Sequence, residues 1–228
     1  VRWRRQRAVS FATDKRHALA EGLARSSPAH EPSLGDAGLG VRLAVAYALL
    51  SAVGLGLSFA VRGASPFVHP DPWIVLAPLV GVSASAAAGV ALAFLITVVT
   101  RFSSARFSWA RRLSGELRPF ARSLTPTQVL LVSGLSSLGE EILFRGFLAP
   151  LLGVILSSAV FGLAHQMRGP SRWVWVAWAT VAGLAFGLLY RLTGSLVGPL
   201  VAHALANAAN LAFLKGEAES GVGTSGRD

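Results

Sequence analysis

"LGEEILFRGFL", Leu138 to Leu148, sets two adjacent glutamates and an arginine inside an otherwise apolar run. An ionisable side chain at the middle of a bilayer costs about 2.5–3.5 kcal/mol on insertion scales, so it normally faces a cavity or a partner rather than lipid. Either this run is not a membrane helix, or it borders a polar cavity inside a membrane protein. The remainder of the chain favours the second reading.

Of the 228 residues, 53% are hydrophobic and only 14% charged, and the mean hydropathy is +0.55. That balance lies well on the apolar side of an ordinary soluble domain. With about 20 apolar residues needed per helical span, the length allows roughly five to seven spans and little else. Cysteine is absent, which excludes a disulfide framework, a thiol nucleophile and a Cys-type zinc site. Any metal would need His and carboxylate ligands. A cleaved signal peptide is not expected, because the first strongly apolar run begins only near Leu43.

The net charge of +10 does not point to nucleic acid. Most basic residues fall in two blocks outside the apolar runs, Arg2 to Arg25 and Arg101 to Arg122, where they hold loops on the cytoplasmic side. The amino terminus is therefore expected in the cytoplasm, in a plasma membrane of bacterial type.

Along the chain, residues 1–40 read as a basic, disordered cytoplasmic tail. Residues 41–125 read as accessory spans, Leu43 to Val61 and Trp73 to Thr100, followed by a basic stretch. In that stretch Phe102, Trp109, Leu113, Leu117 and Phe120 recur at helical intervals, the pattern of a helix lying in the inner interface. Residues 126–214 hold the remaining helices: Thr127 to Leu151, a shorter piece from Val154 to His165, Trp173 to Tyr190, and Ser195 to Leu214. Residues 215–228 read as a flexible tail. The expected fold is an all-α polytopic membrane bundle of about six membrane helices, one of them partial, around a polar cavity.

Between Trp73 and Gly216 the acidic residues are Glu116, Glu140 and Glu141, and Glu116 belongs to the basic stretch. On a helix Glu141 and Arg145 share a face and can pair. Glu140 is rotated about 100° away and needs something else. His165 in "FGLAH" and His203 with Asn207 in "HALAN" supply further polar groups within apolar segments. If the chain reverses at Leu152 and Gly153, residues whose numbers sum to about 305 face each other, as Glu140 and His165 do. A reversal at Ala149, forced by Pro150, would separate them by roughly 9 Å along the helices.

"EEILFR" (Glu140, Glu141, Arg145), "FGLAH" (Phe161, His165) and "HALAN" (His203, Asn207) resemble, in order, the three motifs of the CAAX protease and bacteriocin-processing family of intramembrane endopeptidases, which includes the CAAX prenyl endopeptidases. The resemblance runs from about Pro126 to Leu214. It implies a hydrolase that cuts peptide bonds of membrane-associated proteins or peptides, some of them lipid-anchored. Glu140 and His165 would activate water, His203 and Asn207 would stabilise the oxyanion, and Glu141 with Arg145 would support them. Phe161 is expected to pack rather than react. A zinc site built from Glu140, His165 and His203 and a metal-free glutamate mechanism both remain open. So do two other functions for a buried polar cavity: a non-catalytic bacteriocin-immunity or scaffold protein, and a transporter.

Overall fold

The structure is a computed structural model and describes residues 34–216. The tails expected at 1–40 and 215–228 fall largely outside the described residues; Leu34 to Gly40 and Lys215 to Gly216 belong to helices. The described chain is an all-α polytopic bundle with no strand and a single antiparallel bridge, Val68 to Ser195. Five of its helical stretches are long and apolar enough to cross a membrane.

Helix α1 (Leu34–Leu57) continues through one π-helical turn, Ser58–Arg62. Helix α2 (Pro78–Arg106) starts five residues later than the apolar pattern suggests, and the reason is local. Pro78 stands at its first turn, and Ala77 before it is held extended, at ψ 141°. The amides of Trp73 and Ile74 donate instead to the carbonyls of Arg191 and Leu192, at the far end of another helix.

Helix α3 (Ser108–Ser123) is the basic amphipathic stretch, and its face carrying Ala110, Leu113, Ser114 and Ala121 is buried against the bundle. Helix α4 (Pro126–Glu141) opens with a reciprocal cap: Thr125 accepts from the Gln128 amide, and the Gln128 side chain accepts from the Thr125 amide. The chain then widens into a π-helical segment, Ile142–Leu148, and continues as α5 (Ala149–Ala164). Helices α6 (Arg172–Thr193) and α7 (Val197–Gly216) complete the fold.

The run Pro126–Ala164 counts as one stretch by length and hydropathy, which is why five spans are found where about six were expected. Its backbone is nevertheless broken at Gly153, at φ 80° and ψ 163°, a conformation closed to residues with a Cβ. Pro150 sits just after the π segment, where helix continues, and does not turn the chain. The arm from Val154 to Ala164 rises only about 16 Å and cannot cross a bilayer alone.

Small residues set the helix spacing. A Cβ on Gly89 of α2 would strike the backbone of Gly198 on α7, so these two helices touch main chain to main chain. Ile142, Tyr190 and Leu196 pack together, and Phe186, Leu189 and Ala202 form a second cluster between α6 and α7.

Candidate active site

Three elements bring the polar residues to one place. Glu140 and Glu141 lie in the last turn of α4, His165 ends α5, and His203 and Asn207 lie one turn apart on α7. Because the chain breaks at Gly153, α5 returns toward α4 and delivers His165 Nε2 to 3.4 Å from Glu140 Oε2. His203 Nε2 approaches the same oxygen at 3.7 Å.

The adjacent glutamates have different surroundings. Glu141 is fully buried, and its Oε1 receives both Arg145 Nη1 at 3.0 Å and His203 Nδ1 at 2.8 Å. Arg145 is itself 1% exposed and lies between aromatic faces, its guanidinium carbon 4.1 Å from the Phe161 ring centre and 5.4 Å from that of Phe186. Gly183 of α6 makes room for it, since a Cβ there would meet Arg145 and Phe161. A charge this deep is tolerable only when paired and packed in this way. Glu140 Oε2, like Glu141 Oε2 and Arg145 Nη2, is buried without a hydrogen-bond partner, but of these three residues Glu140 is the one that lines a cavity.

The histidine tautomers follow from their other nitrogens. His165 Nδ1 lies 2.8 Å from the Phe161 carbonyl, which can only accept, so in the neutral ring the proton is on Nδ1. The same holds for His203, whose Nδ1 faces the Arg-paired carboxylate of Glu141. In the neutral form each ring turns an Nε2 lone pair toward Glu140 Oε2, and in the protonated form each Nε2 points a proton there. A water between Glu140 and a neutral His165 finds an acceptor for each of its two protons.

The reacting groups open into a cavity of about 270 Å³ with mostly apolar walls. Trp175 and Trp178 of α6, Phe213 of α7 and Leu113 of α3 line it, together with a polar stripe, Asn207 and Asn210, running along α7. Asn207 Nδ2 reaches Ser136 Oγ at 3.5 Å, so its amide is only loosely held. Helix α3 is thus more than an interfacial helix: it walls the cavity.

Residues 122–209 match the family described as type II CAAX prenyl endopeptidase Rce1-like. This chain carries an Rce1-like domain. It is an integral multi-pass membrane protein with a domain from a protease family. An uncharacterized protein of Bacillus subtilis (strain 168), YpbD, is 32% identical over 80 residues, 35% of this chain and 42% of the relative, so the similarity spans about two-fifths of that protein's length. No solved structure matches the chain.

Within the Rce1-like domain the three candidates for metal ligation, Glu140, His165 and His203, do converge. Yet among the described residues no group of three or more His, Asp and Glu side chains is arranged to hold a metal ion. Both ring nitrogens address one carboxylate oxygen, Glu140 Oε2.

Sequence reasoning missed several members of the site. Ser136 lies one turn before Glu140 and accepts from Asn207. Phe186 stacks on His203 at 5.0 Å between ring centres. Only the i, i+4 spacing from Glu140 could have marked Ser136, and nothing in the sequence separates Phe186 from the other apolar residues of α6. Phe161 does pack, as expected, and it bridges the site by touching both Arg145 and His165.

Proposed function

We propose that the chain is an intramembrane endopeptidase that hydrolyses peptide bonds of membrane-associated proteins or peptides with a glutamate-activated water. The observation that carries this reading is Glu140 Oε2, buried, without a hydrogen-bond partner and faced by the Nε2 atoms of His165 and His203. A water donating its two protons to Glu140 and His165 turns an oxygen lone pair toward a carbonyl carbon in the cavity. Glu140 takes one proton as the water oxygen bonds to that carbon. The carbonyl becomes an oxyanion, to which Asn207 Nδ2 donates. As the C–N bond breaks, Glu140 returns the proton to the leaving nitrogen.

His203 Nδ1 lies against Glu141, which holds the ring in place, and its Nε2, when protonated, donates to the oxyanion beside Asn207. Glu141 and Arg145 act through His203 and are positioning residues.

The remaining assignments belong to the same reading. Residues 126–214 are the catalytic core and 41–125 the accessory part. The amino terminus is cytoplasmic in a bacterial plasma membrane, on the placement of the arginine blocks. The substrate is a membrane-associated chain, including lipid-anchored ones, which an apolar cavity accommodates.

The test compares peptide termini, by mass spectrometry of membrane fractions, between cells expressing wild type and Glu140→Gln at matched levels. New termini confined to wild type are expected. Identical profiles from two equally folded proteins would contradict proteolysis, and a phenotype retained by Glu140→Gln would favour an immunity or scaffold role.

A further inference from the structure

The Rce1-like match begins at residue 122, yet the cavity wall is not confined to the matched segment. Tyr47, in the first span, lines the cavity with Glu140, His165, His203 and Asn207. Its position is fixed by close packing of α1 on α4. The Tyr47 carbonyl lies so near Gly139, the residue before Glu140, that a Cβ there would come within 2.9 Å of it. One turn on, Ser51 Oγ donates to that carbonyl at 2.8 Å. Farther along α1, Gly54 makes a similarly close approach to Ile142 and Leu143. The first span is therefore registered against the catalytic helix at both ends of the glutamate pair.

The phenol itself lies within electrostatic reach of the Glu140 carboxylate, and its hydroxyl makes no hydrogen bond to a described residue. A hydroxyl in an apolar wall needs a partner. A tyrosine O–H is a donor suited to an oxygen that gains charge during reaction.

We infer that Tyr47, outside the Rce1-like domain, is a catalytic residue that donates its phenolic hydrogen bond to the carbonyl oxygen of the scissile peptide bond, alongside Asn207. The inference rests on the proteolytic reading for its chemistry, but its geometry can be tested without activity.

The chain contains no cysteine, so Tyr47→Cys introduces a single thiol. Full-length Tyr47→Cys is labelled in membranes with a small charged methanethiosulfonate, beside Val45→Cys and Leu49→Cys, whose parent side chains are exposed on the outside of the bundle. Because only the hydrated thiolate reacts, labelling at position 47 is expected to be about tenfold faster than at positions 45 and 49. Equal rates at all three would overturn the placement of Tyr47 in the site. The second arm uses a synthetic peptide spanning a cleavage site recovered from the comparison of wild type with Glu140→Gln. Tyr47→Phe should lower kcat roughly 100-fold with KM within about twofold of wild type, the pattern of a lost oxyanion donor. A Tyr47→Phe enzyme at the wild-type rate, with Tyr47→Ala impaired, would make Tyr47 a packing residue and overturn the inference. If wild type cleaves nothing that Glu140→Gln spares, the proteolytic reading fails and the assigned hydrogen bond with it, while the labelling rates still decide whether Tyr47 faces the site.

Discussion

Two polar clusters, one at the middle of the bundle and one in the loop between α1 and α2, use the same residue types to opposite ends. In the loop before α2, His69 is buried edge-on against Tyr190 at 4.9 Å, its Nδ1 accepts from the Asp71 amide at 3.0 Å, and Arg191 pairs with Asp71 at 3.2 Å. Tyr190 in turn donates to the Pro66 carbonyl at 2.8 Å. These contacts staple a loop to the α6–α7 turn. At the centre, Glu141 accepts from Arg145 and His203, while Glu140 beside it lines the cavity. A staple spends its charges on one another, whereas the site keeps one carboxylate uncommitted.

The comparison is broken most severely at Glu140. Glu140→Gln keeps the shape but removes the base, so the rate of peptide cleavage should fall by about 10²–10⁴-fold while the thermal transition in detergent stays near that of wild type. A comparable loss from Glu141→Gln with unchanged stability would erase the distinction between the two glutamates. Arg145→Met should act on stability instead. Removing one member of a buried pair leaves Glu141 uncompensated and costs about 3–5 kcal/mol, read as a lowered unfolding midpoint in detergent. Asp71→Asn, in the staple, should cost no more than about 1 kcal/mol by the same measurement, since the Asp71 side chain is 79% exposed and solvent screens the pair.

The smallest effect is one of pH. Burial and, after it, the neighbouring Arg191 guanidinium hold His69 below the usual histidine range. A histidine with a depressed folded-state pKa contributes stability that is complete above its unfolded value, about 6.5, and is lost as pH falls through the folded value. The difference in melting temperature between wild type and His69→Phe should therefore narrow or reverse on acidification below about pH 6.5. A difference that is constant with pH would remove His69 as a titrating part of the staple.

Much of this was legible in the sequence because buried charge is costly and therefore rare. Glu140, Glu141, His165 and His203 stood out against an oily background, and Gly153 marked the reversal that brings two of them together. What stayed hidden depends on contacts between distant segments. The π-helical widening at Ile142–Leu148 has no signature in "ILFRGFL". It coincides with Arg62 donating to the Gly146 carbonyl and with Pro66 packed where a Cβ of residue 146 would lie. The late start of α2 at Pro78 reflects amides of Trp73 and Ile74 that bond to the end of α6. Tyr47 sits in an apolar run with no periodic mark, and only the approach of α1 to Gly139 brings it to the cavity.

The central claim is that Glu140 acts on a water rather than on the peptide directly. It is tested by a single turnover of purified wild type in ¹⁸O-labelled water with the peptide recovered from membranes, followed by mass spectrometry of both product and enzyme. The account predicts one ¹⁸O in the new carboxyl terminus of the product and none in the Glu140 side chain. Label appearing in Glu140, with an unlabelled product, would show a covalent acyl-enzyme and contradict it.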